Sequence, residues 1–236
     1  MDRGNTDSIL NDIFNLFSKD RPYESFPEQA ESLGLITSNQ GVTITLEQGI
    51  FDGRMFFVTF TLDSEKDLGE KPWLEGDLNI SSHKNLLKSY GREIKKIADH
   101  QYAGVLFGNI VKSPRMEIER IDLSWNIKNI FPKFVEESSA TKVNGNWKFT
   151  FSLPAMDTST QIVIPPTKRN TALYEKVRKE GVFIEVSSIY YTPVSFITHY
   201  SEYVAHETYD AWDFVDAELK VRDDLGIEYM GKYFGG

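Results

Sequence analysis

Apolar and polar residues alternate with a period of two along much of the chain, which is typical of β-strands with one buried face. The clearest case is residues 41–63, where two alternating arms flank Asp52-Gly53. Gly53 can adopt the positive φ that a tight turn needs, so the segment is predicted to form a β-hairpin. The apolar positions of its arms are Val42, Ile44 and Leu46, then Phe56, Val58, Phe60 and Leu62.

The same alternation predicts further strands at residues 73–80, 102–111, 118–130, 147–153, 160–164, 182–191 and 194–203. Residues 217–221 and 227–229 flank the turn sequence 223–226 and are predicted to form a closing hairpin. Short strands with turn signals between them are typical of β-sandwiches. The predicted fold class is mainly β, with two β-sandwich-like domains.

Helical patterns are few. Residues 6–18 carry a wide apolar stripe that is expected to pack on the domain: Ile9, Leu10, Ile13, Phe14, Leu16 and Phe17. Residues 27–33 are predicted to form a second short helix, because Gly34 stands where helices commonly end. Residues 84–97 are predicted to be helical or irregular with a charged solvated face, and residues 171–179 to form a short helix.

A polar stretch at residues 136–144 marks a change in composition. Domain boundaries commonly fall in such stretches. We therefore predict a first β domain with the N-terminal helix at residues 1–136 and a second β domain at residues 137–236.

The charge balance excludes some partners. The formal net charge of the 236 residues is −9 and the isoelectric point is about 5.0. Affinity for nucleic acids and for anionic membrane surfaces comes largely from lysine and arginine, so neither is a predicted partner. The absence of cysteine excludes disulfides and thiolate metal sites. No apolar run approaches the length of a membrane span, and no signal peptide is expected at the start.

Candidate chemistry is sparse. The sequence contains no HExxH, nucleophile-elbow or phosphate-loop motif, and neither catalytic residues nor a cofactor are predicted. His199, Glu202 and His206 come nearest to a metal-ligand set. Glu202 and His206 would share a face on a helix, but the surrounding pattern favours a strand or loop, so an ordinary surface cluster is the preferred interpretation. Tyr200, Tyr203 and Trp212 belong to a dense aromatic region that would suit sugar binding, although small β domains commonly bury such residues.

The first half of the chain resembles a family of uncharacterised extracytoplasmic domains in membrane proteins of Gram-positive bacteria, related to anti-sigma factors. The resemblance rests on a series of short motifs: Ile13–Phe17, Leu33-Gly34, residues 41–46, Phe51-Asp52-Gly53 and residues 56–67. The second half is similar to the immunoglobulin-like domain that often follows, through residues 145–149, 182–193 and 219–226. The resemblance therefore implies two immunoglobulin-like β domains.

The resemblance also implies a location and a role. Family members carry a transmembrane helix just before this region, and some hold a sigma factor through a cytoplasmic segment; both are expected to lie outside this chain. The expected function is non-catalytic binding or sensing at the extracytoplasmic face of the membrane, with an unknown extracellular ligand or protein as partner. The rival hypotheses are a secreted or wall-associated carbohydrate-binding module or hydrolase, and a structural spacer.

Overall fold

The computed structural model describes residues 30–82, 86–111, 116–132, 142–156, 167–171, 182–191, 196–204, 220–222 and 228–230. Contacts along the chain divide it into two units, the first comprising Met1–Thr158 and the second Ser159–Gly235. A search of the described residues for a helix long and apolar enough to cross a membrane finds none.

The first unit contains two antiparallel sheets. Its strands are β1 (Glu31–Asn39), β2 (Val42–Phe51), β3 (Met55–Ser64), β4 (Trp73–Ile80), β5 (Leu87–Ala98), β6 (Gln101–Ile110), β7 (Arg120–Phe131) and β8 (Val143–Pro154). The first sheet has the order β1-β2-β3-β6-β5, and the second sheet has the order β4-β7-β8. Together they form a β-sandwich, which confirms the predicted mainly-β fold class.

The core lies between the two sheets and is rich in aromatic rings. Phe60 of β3 meets the edge of Trp125 of β7 with ring centroids 5.3 Å apart. Gly104 of β6 makes room for Phe60, since a methyl group there would lie 2.2 Å from its ring. Trp147 of β8 is fully buried and donates a hydrogen bond from Nε1 to the carbonyl of Val42, 2.9 Å away. These contacts hold the first sheet against the second.

The sandwich is closed on one side by β1 and β8. The Thr37 hydroxyl of β1 donates a hydrogen bond to the carbonyl of Lys148 at 3.3 Å. Directly before the Asp52-Gly53 turn, Phe51 pairs with Ala155, and the Met156 amide donates to the Phe51 carbonyl at 2.8 Å. The two residues that follow β8 therefore bind to the β2–β3 hairpin beside its turn.

The described part of the second unit is also antiparallel. Strands β9 (Thr167–Thr171), β10 (Val182–Tyr191) and β11 (Phe196–Val204) form a sheet of order β11-β10-β9. Strands β12 (Lys220–Arg222) and β13 (Glu228–Met230) pair as a hairpin. The predicted strand at residues 182–191 and the predicted closing hairpin are thus confirmed.

The central prediction, a hairpin over residues 41–63, is confirmed by β2 and β3. Gly53 adopts a φ of 88° at its turn. The predicted strands at 73–80, 102–111, 118–130 and 147–153 correspond to β4, β6, β7 and β8. The predicted helix at 6–18 and strand at 160–164 lie outside the described residues, as does the helix predicted at 171–179 apart from Thr171, which ends β9.

Two helical predictions are wrong. Residues 84–97 contain most of β5, an edge strand of the first sheet, because its backbone pairs with β6 along almost its whole length. Lys88, Arg92, Lys95 and Lys96 therefore lie on an edge strand, where charged side chains discourage pairing with another chain. Of the helix predicted at residues 27–33, residues 31–33 lie in β1, which pairs with β2, and residues 27–29 lie outside the described residues. Gly34 lies at an irregularity within that strand, with a φ of 58°.

The division into units also differs from the predicted boundary after residue 136. Strand β8 pairs with β7 from Val143 to Pro154, and its Trp147 belongs to the core of the sandwich. The polar stretch that suggested a boundary precedes this last strand of the first unit. Residues 137–158 consequently belong to the first unit.

Candidate functional site

A groove of about 640 Å³ lies at one end of the first sheet. Three chain segments meet there: the Gln40-Gly41 turn between β1 and β2, the end of β3, and the Asp99-His100 turn between β5 and β6. The groove is lined by Ser38, Asn39, Gln40, Gly41, Val42, Thr43, Asp63, Ser64, Glu65, Asp99, His100 and Gln101. Most of these residues are polar, so the groove suits a ligand rich in hydrogen-bonding groups.

Backbone hydrogen bonds fix the rim of the groove. The Ser64 amide donates to the carbonyl of His100 at 3.0 Å, and the Glu65 amide donates to the carbonyl of Gly41 at 2.9 Å. Gln40, Gly41 and His100 have φ values of 51°, 73° and 60°, the left-handed conformation that both tight turns require. The three segments are therefore bonded to one another, and the chain's own hydrogen bonds set the shape of the groove.

The charges in the groove are mainly negative. Asp63, Glu65 and Asp99 contribute carboxylates. His100 lies among them, with Nδ1 3.1 Å from the carbonyl oxygen of Ser64 and Nε2 3.6 Å from Oδ2 of Asp99. The side-chain amide of Gln101 donates a hydrogen bond to the Asp63 carboxylate at 3.0 Å. A groove with this lining favours positively charged or hydrogen-bond-donating groups over anions.

Beside the groove, Asp67 is the centre of a hydrogen-bond network. Its Oδ1 accepts from Lys96 Nζ at 3.0 Å, from the Tyr102 hydroxyl at 2.9 Å and from the Gly69 amide at 3.0 Å. The bond from Lys96 is the main reason that the pKa of Asp67 is lowered to about 2, and the bonds from Gly69 and Tyr102 lower it further. The same ion pair raises the pKa of Lys96.

Tyr102 links this network to the core. Its hydroxyl accepts a hydrogen bond of 2.7 Å from the amide of buried Leu68, and burial raises the pKa of the phenol. Asp67 and Lys96 are thus both charged at neutral pH, and Tyr102 is neutral. Because each shift moves a pKa further from neutral pH, these groups keep one protonation state there. The network is therefore suited to holding the loop after β3 rather than to proton transfer.

A second exposed feature lies where β4 and β5, edge strands of the two sheets, approach each other. The guanidinium carbon of Arg92 lies 4.1 Å from the ring centroid of Trp73, whose side chain is 44% exposed. Burial lowers the pKa of Arg92. The Tyr90 hydroxyl bridges the two strands by donating to the Gly76 carbonyl at 3.1 Å. This cation–π pair is the most exposed aromatic surface of the described first unit.

The residues that the sequence suggested as ligands belong to the second unit. His199, Tyr200, Glu202 and Tyr203 lie on β11, where they pair with Ser188, Val186, Ile184 and Phe183 of β10. The shared helical face considered for Glu202 and His206 does not apply, because Glu202 is in a strand. His206 and Trp212 lie outside the described residues. The metal and carbohydrate roles of these residues stay predictions.

A search of the described ranges finds no group of three or more histidine, aspartate or glutamate side chains placed to hold a metal ion. The groove itself was not predicted from the sequence, because its segments are far apart along the chain and meet only through strand pairing. The local signal was limited to turn-forming residues at positions 39–41 and 99–100.

The fold and groove define a class: a mainly-β protein whose first unit is an antiparallel sandwich with a polar groove at one end. No protein-family model matches the chain, and no curated protein matches it. The chain is similar to the crystal structure of the conserved domain protein from Bacillus anthracis, with a TM-score of 0.74 and 28% sequence identity. The match covers 95% of this chain and 74% of that one. It supports the mainly-β fold across nearly the whole chain.

Proposed function

We propose that this chain is the extracytoplasmic part of a membrane-anchored regulatory protein similar to anti-sigma factors, and that it binds or senses a ligand without catalysing a reaction. The proposal rests on one observation above all. Three of the motifs that carry the family resemblance build the β2–β3 hairpin of the first unit: residues 42–46 in β2, Phe51-Asp52-Gly53 at the buried hairpin turn, and residues 56–67 in β3 and the loop after it.

The proposed binding surface is the groove at the end of the first sheet. Its support is geometric and electrostatic: the rim is held by hydrogen bonds between the turns, and three acidic residues are among those that line the polar cavity. A preformed site loses less conformational entropy on binding than a flexible one. The partner that fits this lining is a protein or peptide presenting lysine or arginine side chains.

Location is the first part of the proposal to test. The complete gene product would be expressed in its native host with an epitope tag after residue 236, and intact cells would be treated with protease. Loss of the tag from intact cells is the expected result. Protection of the tag until the cells are lysed would contradict an extracytoplasmic location.

The binding role is tested in the same host with the groove variant Asp63→Asn/Glu65→Gln/Asp99→Asn. The expected result is altered transcription of the genes controlled by any sigma factor encoded beside this gene, at unchanged protein abundance. The matched control is Glu75→Gln/Asp77→Asn, which neutralises exposed carboxylates of β4, away from the groove. An equal response from both variants would argue against the groove.

The carbohydrate-binding rival makes a different prediction. Purified protein would bind cell-wall polysaccharide, and Tyr200→Ala, Tyr203→Ala or Trp212→Ala would abolish that binding. The groove variant would leave it unchanged.

A further inference from the structure

The first sheet has a second apolar face, directed away from the core. Phe57 of β3 lies opposite Ile50 of β2 on one side and Phe107 of β6 on the other, so the three residues form a row across the sheet. Thr59 and Val105 form the next pair along the same face. The apolar residues of this outer face are Ile50, Met55, Phe57, Ala103, Val105 and Phe107.

These outer-face side chains are buried, with between 0% and 6% of their surface exposed. None of them belongs to the core cluster between the two sheets, which takes the alternate residues of the same strands, such as Phe56, Val58 and Leu106. The second sheet packs on that opposite face. The second sheet therefore does not account for the burial of the outer face.

Within the first unit, composition singles out one segment that suits this face. In this unit, residues 1–29, 83–85, 112–115, 133–141 and 157–158 lie outside the described ranges. The short internal pieces together contain two large apolar residues, Phe134 and Val135. Residues 6–18 alone contain six, spaced to form one face of a helix.

The start of β1 lies beside the apolar end of the sheet. Glu31, at the start of β1, pairs with Gly49, which is next to Ile50 of the outer-face row. At the opposite end of the sheet the same face becomes polar, with Thr43 beside Asp63 and Asp63 beside Gln101. Residues 19–29 separate the segment from Ala30, and a chain of that length spans roughly 35 Å when extended, well beyond the width of five strands.

We propose that residues 6–18 dock on the outer face of the first sheet through their apolar stripe and form an integral layer of the first unit. This inference does not depend on the proposed function. Displacing the segment would expose a contiguous apolar surface of a kind that binds other proteins.

The absence of cysteine allows a direct test with single thiols. Val105→Cys reports on the outer face, and Leu106→Cys, the next residue on the opposite face, reports on the core. Each would be combined with Phe14→Asp/Phe17→Asp in the apolar stripe, or with the control Asn11→Asp/Asn15→Asp on its polar side. We expect the stripe variant to increase the rate at which the Val105→Cys thiol reacts with a disulfide reagent by about tenfold or more. The Leu106→Cys thiol should still react slowly, and the control should change neither reaction rate.

An unchanged Val105→Cys rate in the stripe variant would overturn the proposal. A second measurement leaves the stripe intact: a nitroxide attached to Asn11→Cys in the otherwise unaltered chain. The expected result is stronger broadening of the Ile50 and Val105 methyl signals than of Leu62 at the far end of the sheet. Equal or absent broadening would overturn the proposal even if the charged variant unfolds.

Discussion

The indole Nε1 of Trp147 donates a 2.9 Å hydrogen bond to the carbonyl of Val42, joining the last strand of the second sheet to the second strand of the first. Both side chains are buried. The bond satisfies a polar group of each residue inside the core, where leaving either group unpaired would be costly. It also explains why β8 belongs to the first unit.

We expect Trp147→Phe to lower the free energy of unfolding by about 2–3 kcal/mol, because the Val42 carbonyl loses its partner and the smaller ring leaves a void. Urea unfolding followed by circular dichroism measures this change. The matched control is Trp73→Phe on the exposed side of β4, for which a loss below about 1 kcal/mol is expected. Equal losses in both variants would contradict the role given to Trp147.

The turn of the β2–β3 hairpin depends on a buried carboxylate. Asp52 Oδ1 accepts hydrogen bonds from the amides of Arg54 at 2.9 Å and Met55 at 2.7 Å. We expect Asp52→Ala to cost about 1–3 kcal/mol, because both buried amides lose their acceptor. The exposed Asp63→Ala, in the same hairpin, should change stability by less than about 0.5 kcal/mol. Thermal unfolding of both variants provides the comparison, and a neutral Asp52→Ala would show that the turn forms without its side chain.

The lowered pKa of Asp67 predicts a specific acid response. A carboxylate whose pKa is depressed in the folded state stabilises that state at pH values above the ordinary pKa of 3.8, and this contribution disappears as the pH falls toward about 2. The difference in urea midpoint between the unaltered protein and Asp67→Asn should therefore be constant above about pH 5 and shrink below pH 3.8.

Lys96→Met provides the check on cause, because Lys96 is the largest contributor to this shift. NMR titration of the Asp67 carboxyl should give a pKa of about 2 in the unaltered protein and a clearly higher value in Lys96→Met. An unchanged pKa in that variant would assign the shift to the Gly69 amide and Tyr102 instead.

Periodicity predicted most strands of the first unit because their burial alternates as the sequence does. Strand β3 shows the limit of this signal: Met55–Phe60 are all buried, so both faces of the strand are covered and burial does not alternate there. Strand β5 was missed because many of its side chains are half-exposed, so its sequence shows little alternation between apolar and polar residues. Its identity depends on pairing with β6, which is a contact between segments and leaves no periodic pattern in β5 itself.

The groove could not be predicted for the same reason. Gln40, Ser64 and His100 are turn or strand-end residues at separate places in the sequence, and only the order β1-β2-β3-β6-β5 brings them to one end of a sheet. The candidate residues that the sequence did suggest, including His199 and Tyr203, were selected because they are close along the chain. Proximity in sequence does not establish a shared site.

By itself, the sequence determined the mainly-β class, the β2–β3 hairpin with its Asp52-Gly53 turn, and most strand positions in the first unit. These features depend on side-chain alternation and on the backbone preferences of single residues, which are local. The tertiary structure decided that β5 is a strand, that β8 completes the first unit, and that three turns enclose a groove. Those outcomes depend on hydrogen bonds and packing between residues that are distant in the sequence, such as Trp147 and Val42. A local sequence pattern does not reveal which distant residues will meet.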